Sequence, residues 1–582
     1  MDGETQSMFL TSDEHSSREY RQATAVNLFG AAFRLFDYVL ITDIAQTDGL
    51  PPQWIGQITM PNFNVSPVGG PLDPTILHAI NLKRANPKVQ LAETTEVWQI
   101  TLLGEYQSAR LTTLRRRPKP GATVARLDQA LTVDILKITP FLETAPNAIG
   151  YLTNVESVPL CVERNTFVHH ILVSGGTGSG KSNTSANLIK QARNLGFFVF
   201  LYDAKPDYRR MKKPNSDPRV KHLWPEFAKY KIQPEGAASY VIQIGIYDGP
   251  KAAGYYDKYH EVIGFKASDF DPYALAELFV DEKAKIEQYE ELAAVCAYLK
   301  YGDDGDEVKH REYSLQDIIE EVQERKAAYL ESNKKADKSD QPVESSGKPM
   351  MHSATADAIL RKLKRAKMPW LDAVGKPLYT RNGEQNAFTK PKIVKAFSVA
   401  EMIRRAGEKE VGAGIVHIDC SEDSGIDARA YALFLTRFLS ENQKYQVANR
   451  KKTGGIVEFV DEAHRLFTNS TRYNDMLARM FSRTMVEGRS VGHGVILSLQ
   501  NSSQVPALML NNINTHIVMK QNNKEVAKSA TQTMGEDFAE QSLTLGTGEA
   551  LCKMFESPVV VIAKMAPSPY ELERTDNMEQ GL

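Results

Sequence analysis

The chain has 582 residues, of which 42% are hydrophobic and 24% charged, and its formal net charge is −2. This balance describes a globular protein of several folding units, not a disordered or fibrous one. Near-neutrality excludes a protein that coats DNA with its whole surface, but not a ring with a basic lumen, because phosphate contacts need only local Lys and Arg.

Cys161, Cys296, Cys420 and Cys552 form no CxxC pair, which argues against a disulfide framework or a zinc site. No apolar run approaches the ~20 residues that cross a bilayer. The polar opening MDGETQSMFLTSDEHSS lacks a basic region followed by an apolar one, as a secretory signal would require. The chain is therefore expected to be soluble and cytoplasmic, with no membrane partner.

Residues 20–140 read as mostly β. Short apolar runs recur at Tyr38-Val39-Leu40-Ile41, Trp54-Ile55-Gly56-Gln57-Ile58 and Glu96 to Leu103, separated by turns at Pro51-Pro52, Gly69-Gly70-Pro71 and Pro118-Lys119-Pro120-Gly121. This punctuation predicts a small barrel or sandwich, with an irregular α+β cap as the alternative.

From about residue 150 strands and helices alternate. His170 to Val173 is a short apolar strand ending in a glycine-rich turn, Asn183 to Asn194 has a helical pattern, and Phe197 to Tyr202 is a second buried strand closed by Asp203. Such a strand–helix–strand unit marks a parallel α/β sheet. Residues 265–370 interrupt it with helical patterns. The charged stretch Glu331 to Lys348 reads as a solvent-exposed loop, and the basic run Arg361 to Lys367 as the wet face of a helix or a nucleic-acid contact. The sheet resumes at Gly414 to Asp419, followed by a helix from Asp427 to Gln446. Strands are then expected at Gly455 to Val460, Gly494 to Leu499 and Asn514 to Met519, the last of the main series, with a further apolar run at Pro558 to Ile562.

The chemistry is carried by Gly175-Gly176-Thr177-Gly178-Ser179-Gly180-Lys181-Ser182, a GxxxxGK[ST] phosphate-binding loop, with Asn183 next in the helix. The glycines let backbone N–H groups approach phosphate oxygens, and the helix that starts there adds its positive end. Lys181 supplies a cation for the β- and γ-phosphates and Ser182 a hydroxyl for Mg2+. The second motif is Ile456 to Glu462, an apolar strand ending in two carboxylates. Asp461 is placed for the Mg2+ shell and Glu462 for general base to the attacking water. Together they predict hydrolysis of ATP with Mg2+.

Gln500, after the strand ending at Leu499, is placed to sense the γ-phosphate or orient water, or else faces solvent. Arg489 is the first and Arg483 the second candidate for an arginine reaching a neighbouring subunit's nucleotide; an ordinary ion pair is the alternative. Asp203 either bonds within the site or caps its loop.

With these motifs in place the chain resembles the HerA family of hexameric DNA translocases, in the HerA/FtsK group of P-loop ATPases. The resemblance rests on the barrel-like start with Ile55-Gly56-Gln57-Ile58 and Arg117 to Val124, and on the lead-in Ile149-Gly150-Tyr151-Leu152 through Val158-Pro159-Leu160 to His170 and GGTGSGKS. It rests also on Asp203-Ala204-Lys205-Pro206-Asp207-Tyr208, and on VDEAHRLF with EGRSVGHGVILSLQNSSQVP. It implies an α/β fold: a RecA-like P-loop ATPase core with a small N-terminal β-barrel and a helical insertion. The corresponding boundaries are residues 1–145 for a HAS-barrel-like domain, 146–264 and 391–545 for the two parts of the core, 265–390 for the insertion, and 546–582 for a last strand and tail.

The resemblance further implies a homohexamer with nucleotide at its subunit interfaces and duplex DNA in its channel. It gives Lys181, Ser182, Asp461, Glu462, Arg489 and Gln500 the roles argued above. It implies a separately encoded effector, either a nuclease or a sirtuin-type NAD-consuming enzyme, in DNA processing or antiphage defence. Asp207 stands where the family more usually has Glu, and His169 where an Arg is often seen. Arg209, Arg210, Lys212 and Lys213 are candidates to face the channel. The rival readings are an ATP-switched scaffold that assembles and activates an effector, and a protein-remodelling ATPase.

Overall fold

The computed structural model describes residues 8–573 except 11–20, 28–32, 44–50, 66–94, 108–109, 128, 154, 156–157, 246–259, 281–284, 303–310, 337–348, 367, 378–392, 422–425, 451–453, 468–470 and 536. The expected turn at Gly69-Gly70-Pro71 lies outside the described residues.

The N-terminal strands are β1 (Met8–Leu10), β2 (Gln22–Asn27), β3 (Tyr38–Thr42), β4 (Gln53–Val65), β5 (Thr95–Gln107), β6 (Arg110–Thr112) and β7 (Thr123–Arg126). They run in the order β2-β1-β7-β3-β4-β5-β6, and β2 also pairs with β5. Six antiparallel strands thus close on themselves, and β6 lies along β5. This is the expected small barrel and not the α+β cap. Alternate residues point inward, among them Val39, Ile41, Trp54, Ile58, Ile100, Leu102 and Val124, all buried; this two-residue period lets a closed sheet fill its own interior. The barrel is tied to the rest of the chain by Tyr38 Oη and Gln57 Nε2, which donate to the Val560 carbonyl at 3.0 and 3.3 Å.

The second sheet contains β8 (Ala148–Leu152), β9 (Pro159–Cys161), β10 (Ile171–Ser174), β11 (Phe198–Asp203), β12 (Tyr240–Ile244), β13 (Glu261–Gly264), β14 (Lys395–Ala396), β15 (Ile415–Asp419), β16 (Ile456–Val460), β17 (His493–Leu499), β18 (Thr515–Met519), β19 (Glu549–Lys553) and β20 (Val560–Met565). Their order is β14-β13-β12-β15-β11-β16-β17-β10-β18-β19-β20-β8-β9. From β14 to β18 the pairs are parallel, and from β18 to β9 antiparallel. Thr515–Met519 is therefore the last strand of the parallel series.

The central strands read as unbroken apolar runs because helices cover both faces. Among the exceptions are Glu458 and His493. Both are fully buried and satisfy one another at 2.7 Å, with Tyr202 Oη and Asn442 Nδ2 also donating to Glu458 at 2.9 and 2.8 Å.

The interruption at 265–370 contains helices Pro272–Phe279, Ile286–Tyr301, Leu315–Ala336 and Ser353–Arg365. Their inward residues Leu292, Val295, Ile318, Val322, Ile359 and Leu363 join the core of the main sheet. Glu331 to Ala336, expected as the start of an exposed loop, instead continue a helix, which Glu, Lys and Ala favour; the rest of that expected loop, residues 337–348, lies outside the described residues. The basic run lies in the last turns of Ser353–Arg365, with Leu363 buried and Arg361 and Lys364 exposed; Lys367 lies outside the described residues. Strands β8, β9, β12, β13, β14 and β19 were not expected from the sequence. Among the described residues no helix is long and apolar enough to cross a membrane.

Candidate functional site

Parallel strands end at a common edge of the sheet, and crevices at that edge hold ligands in open α/β folds. Four adjacent strands, β11, β16, β17 and β10, bring their ends together here. Their following residues are Lys205, the Asp461–Glu462 pair, Gln500 and the glycine turn.

The turn from Gly175 to Gly180 leads from β10 into the helix Lys181–Asn194. Gly180 is its N-cap in the left-handed region, φ +104°, where a Cβ would be strained. Gly175 N donates to Leu499 O at 3.2 Å, Gly176 N to Lys520 O at 2.8 Å and Gly548 N to Ser179 O at 2.9 Å. Neighbouring backbone therefore holds the turn open. A Cβ on Gly176 would lie 2.3 Å from Asn522 Oδ1, whereas around Gly178 there is nothing within 4 Å. Ser179 Oγ is buried without a hydrogen-bond partner.

One oxygen gathers the site. Glu462 Oε1 accepts from Lys181 Nζ at 3.1 Å, Lys205 Nζ at 2.5 Å and Gln500 Nε2 at 2.8 Å. Thr177 Oγ1 contacts Gln500 Oε1 at 3.5 Å, which links the turn to the same amide. Glu462 has φ +47°, a conformation that costs a non-glycine residue of order 1–3 kcal/mol and is found mainly at functional sites. Burial pushes its carboxyl up, but Lys181 and Lys205 outweigh burial and hold it well below the usual carboxylate range. Asp461 is raised by burial, against the pull of Lys181, and the neighbouring Glu462 adds to the rise. Asp461 Oδ1 accepts from Ser498 Oγ at 3.1 Å. Ser182 Oγ donates to Asp207 Oδ2 at 2.8 Å, and burial raises the Asp207 carboxyl.

Lys181, Ser182, Asp461, Glu462 and Gln500 thus share one cleft. The side chain of Asn183 points elsewhere: its Oδ1 accepts from Ser568 N at 3.2 Å. Arg489 lies before β17, while Gln500 follows it, and a seven-residue strand separates its ends by ~20 Å. Arg489 Nη2 donates to Asn512 O at 2.9 Å, and Arg483 pairs with Glu487 at 2.7 Å. Neither arginine reaches its own chain's glycine turn. Asp203 accepts from Tyr208 N at 3.3 Å and contacts His417 Nε2 at 2.9 Å, so it caps its own loop. Arg209 and Arg210 are engaged by Asp419 at 2.9 Å and Glu571 at 3.1 Å. His169 stacks on Phe555, with ring centroids 3.9 Å apart.

Sequence reasoning gave no role to Lys205, Ser498 or Asn522. Their signal was weak: each follows or ends a strand, but the strand order that brings them to the cleft is not written in the chain order.

The chain matches the family models "Helicase HerA, central domain" over residues 147–370 and "Helicase HerA-like C-terminal" over residues 336–573. It is 27% identical over 144 residues to the DNA double-strand break repair helicase HerA of Sulfolobus acidocaldarius, covering 24% of this chain and 28% of that protein. It is 28% identical over 116 residues to the probable helicase MJ1565 of Methanocaldococcus jannaschii, covering 20% and 21%. The matched stretches thus span less than a third of either curated relative. Similar solved structures include VirB4 of Thermoanaerobacter pseudethanolicus, with TM-score 0.41, 12% identity, and 74% and 99% of the two chains covered. They also include the plasmid coupling protein TrwB in complex with ADP and Mg2+, with TM-score 0.42, 13% identity, and 74% and 92% covered.

Proposed function

Because the chain belongs to the HerA family of P-loop ATPases, we propose that it binds ATP with Mg2+ and hydrolyses it as one subunit of a homohexameric ring on duplex DNA. In this reading turnover drives a translocase or helicase and is coupled to a separately encoded effector, a nuclease or a sirtuin-type NAD-consuming enzyme. The setting is cytoplasmic DNA processing or antiphage defence.

The observation that carries this reading is the convergence of Lys181, Lys205 and Gln500 on Glu462 Oε1 at the mouth of the glycine turn. A triphosphate seated against the turn offers Lys181 a second anion, so the lysine exchanges carboxylate for phosphate. Glu462 then keeps Lys205 and Gln500 and accepts a proton from the attacking water. Gln500, which touches both Thr177 and Glu462, orients that water. The orphaned Ser179 Oγ and the open space at Gly178 fit a polyanion. The hydroxyl of Ser182 and the carboxylate of Asp461 are the hard oxygen donors that Mg2+ takes, its remaining positions going to water and phosphate. When bound, Mg2+ would neutralise charge on the phosphates. Arg489, too far from its own chain's turn, serves the next subunit's nucleotide.

The test is ATPase activity with and without duplex DNA, read beside particle images of the purified protein. Stimulation by DNA and a six-membered ring are expected. Absence of both stimulation and salt-sensitive DNA binding would remove the motor reading.

One observation favours the scaffold alternative. The insertion carries the exposed apolar side chains Tyr273, Ile286 and Leu330, and apolar surface of this kind suits a protein partner. If an effector co-purifies and is activated by the Lys181→Ala protein as well as by the wild type, ATP turnover is not the coupling event.

A further inference from the structure

The barrel carries a surface that the nucleotide cleft does not use. Between Gln107 and Leu127 the chain has six basic residues and no Asp or Glu, within a protein whose formal charge is −2. Arg126 is discharged by Asp37 at 2.5 Å. The others lie on β6 or on the connection from β6 to β7, where Arg110, Arg115, Arg116 and Lys119 are exposed.

The backbone of this connection is held firmly. Arg115 N and Arg116 N both donate to Glu105 Oε1, at 2.9 and 2.6 Å, and Trp54 Nε1 donates to Arg116 O at 2.9 Å. Ala122 N closes a turn on Lys119 O at 3.1 Å, and the Arg117 guanidinium donates to Gln22 O. A buried carboxylate and an indole thus fix the main chain, while Arg116 keeps 59% of its side-chain surface exposed despite a 3.4 Å contact with Glu105.

We propose that this loop, outside the nucleotide cleft, is a docking surface for the phosphodiester backbone of a nucleic acid; it rests on the DNA-motor reading above. Two features favour phosphate over an acidic protein. Protein interfaces anchor on apolar and aromatic side chains, and among the described residues from 97 to 127 no large apolar side chain is exposed. The neighbour is instead the exposed Thr113, the Thr112 hydroxyl already donating to Glu105 O at 3.1 Å, and hydroxyls beside guanidiniums are the usual donors to phosphate. The fixed main chain also lowers the ordering cost of binding.

The test uses the full chain and the triple variant Arg115→Ala/Arg116→Ala/Lys119→Ala, with a short fluorescein-labelled duplex titrated by anisotropy over a range of KCl. The variant is expected to bind about tenfold or more weakly, with a log–log salt slope shallower by about 2–3. Its DNA-independent ATPase rate and melting temperature stay at wild-type values. Equal affinity and slope for wild type and variant overturn this inference and leave the motor reading standing. No duplex binding by the wild type overturns both. Competition by poly-glutamate as effective as competition by unlabelled duplex also overturns the assignment to nucleic acid.

Discussion

Lys205 Nζ lies 2.5 Å from Glu462 Oε1, so a half-exposed lysine on one strand end neutralises a buried carboxylate on the next. Lys181 shares that carboxylate at 3.1 Å but in the proposed function is also the cation that a triphosphate would claim. Lys205 is then the only one of these two lysines left to Glu462.

Lys205→Met should therefore lower kcat about tenfold with little change in KM, because the base is misplaced and not the substrate. Lys205→Arg should recover part of the loss. Steady-state ATPase kinetics give the answer, and a rise in KM at unchanged kcat would assign Lys205 to substrate binding instead.

Lys181→Ala should abolish nucleotide binding or reduce turnover by at least about 10²-fold. Glu462→Gln should keep binding and lose about 10²–10⁴-fold in hydrolysis, trapping ATP. Nucleotide retained after gel filtration, analysed by chromatography, separates the two. Normal hydrolysis by Glu462→Gln would show that another group is the base.

Gly176→Ala places a Cβ against the Asn522 side chain, whose nearest atom is 2.3 Å away. Overpacking of this kind costs about 1–3 kcal/mol, paid here as distortion of the glycine turn. Affinity for a fluorescent ATP analogue should fall in Gly176→Ala and recover in the double variant with Asn522→Ala. If the double variant binds as poorly as the single one, the contact is not what the glycine avoids.

Stability should decline in acid because of His170. Its Nε2–H donates to Met485 O at 2.8 Å, and its Nδ1 accepts from Val495 N at 3.1 Å. Burial lowers it from 6.5 to about 3, so the neutral ring is the folded form. The unfolded chain takes up the proton first, below its ordinary pKa of 6.5, and the stabilisation is lost progressively as pH falls from there towards about 3. At about pH 5 the loss is ~2 kcal/mol. His170→Asn, which tolerates the left-handed backbone at φ +65°, should be less stable near neutrality but melt with a shallower pH dependence. Equal slopes would place the acid sensitivity elsewhere.

Much of this protein is legible in contiguous residues. The glycine turn, the lysine that follows it and the apolar strand ending in Asp461 and Glu462 are local, because their chemistry needs neighbouring residues in a set spacing. The alternation of strand and helix, and the two-residue period of the barrel, are local for the same reason: burial on one face or both shows in the pattern of side chains. Strand order is different. β17 lies between β16 and β10, and β11 lies beside β16, only because packing of distant segments selects that arrangement. This order brings Gln500 between the turn and the acids, and carries Lys205 to a carboxylate 257 positions further along the chain. It also withholds Arg489 from its own cleft, since the two ends of one strand lie at opposite edges of the sheet. β12, β13, β14 and β19 escaped a reading by pattern: β14 has only two residues, and Gln243, Glu261 and Glu549 with Lys553 break the apolar runs of the other three. Their pairing partners, not their own sequences, make them strands.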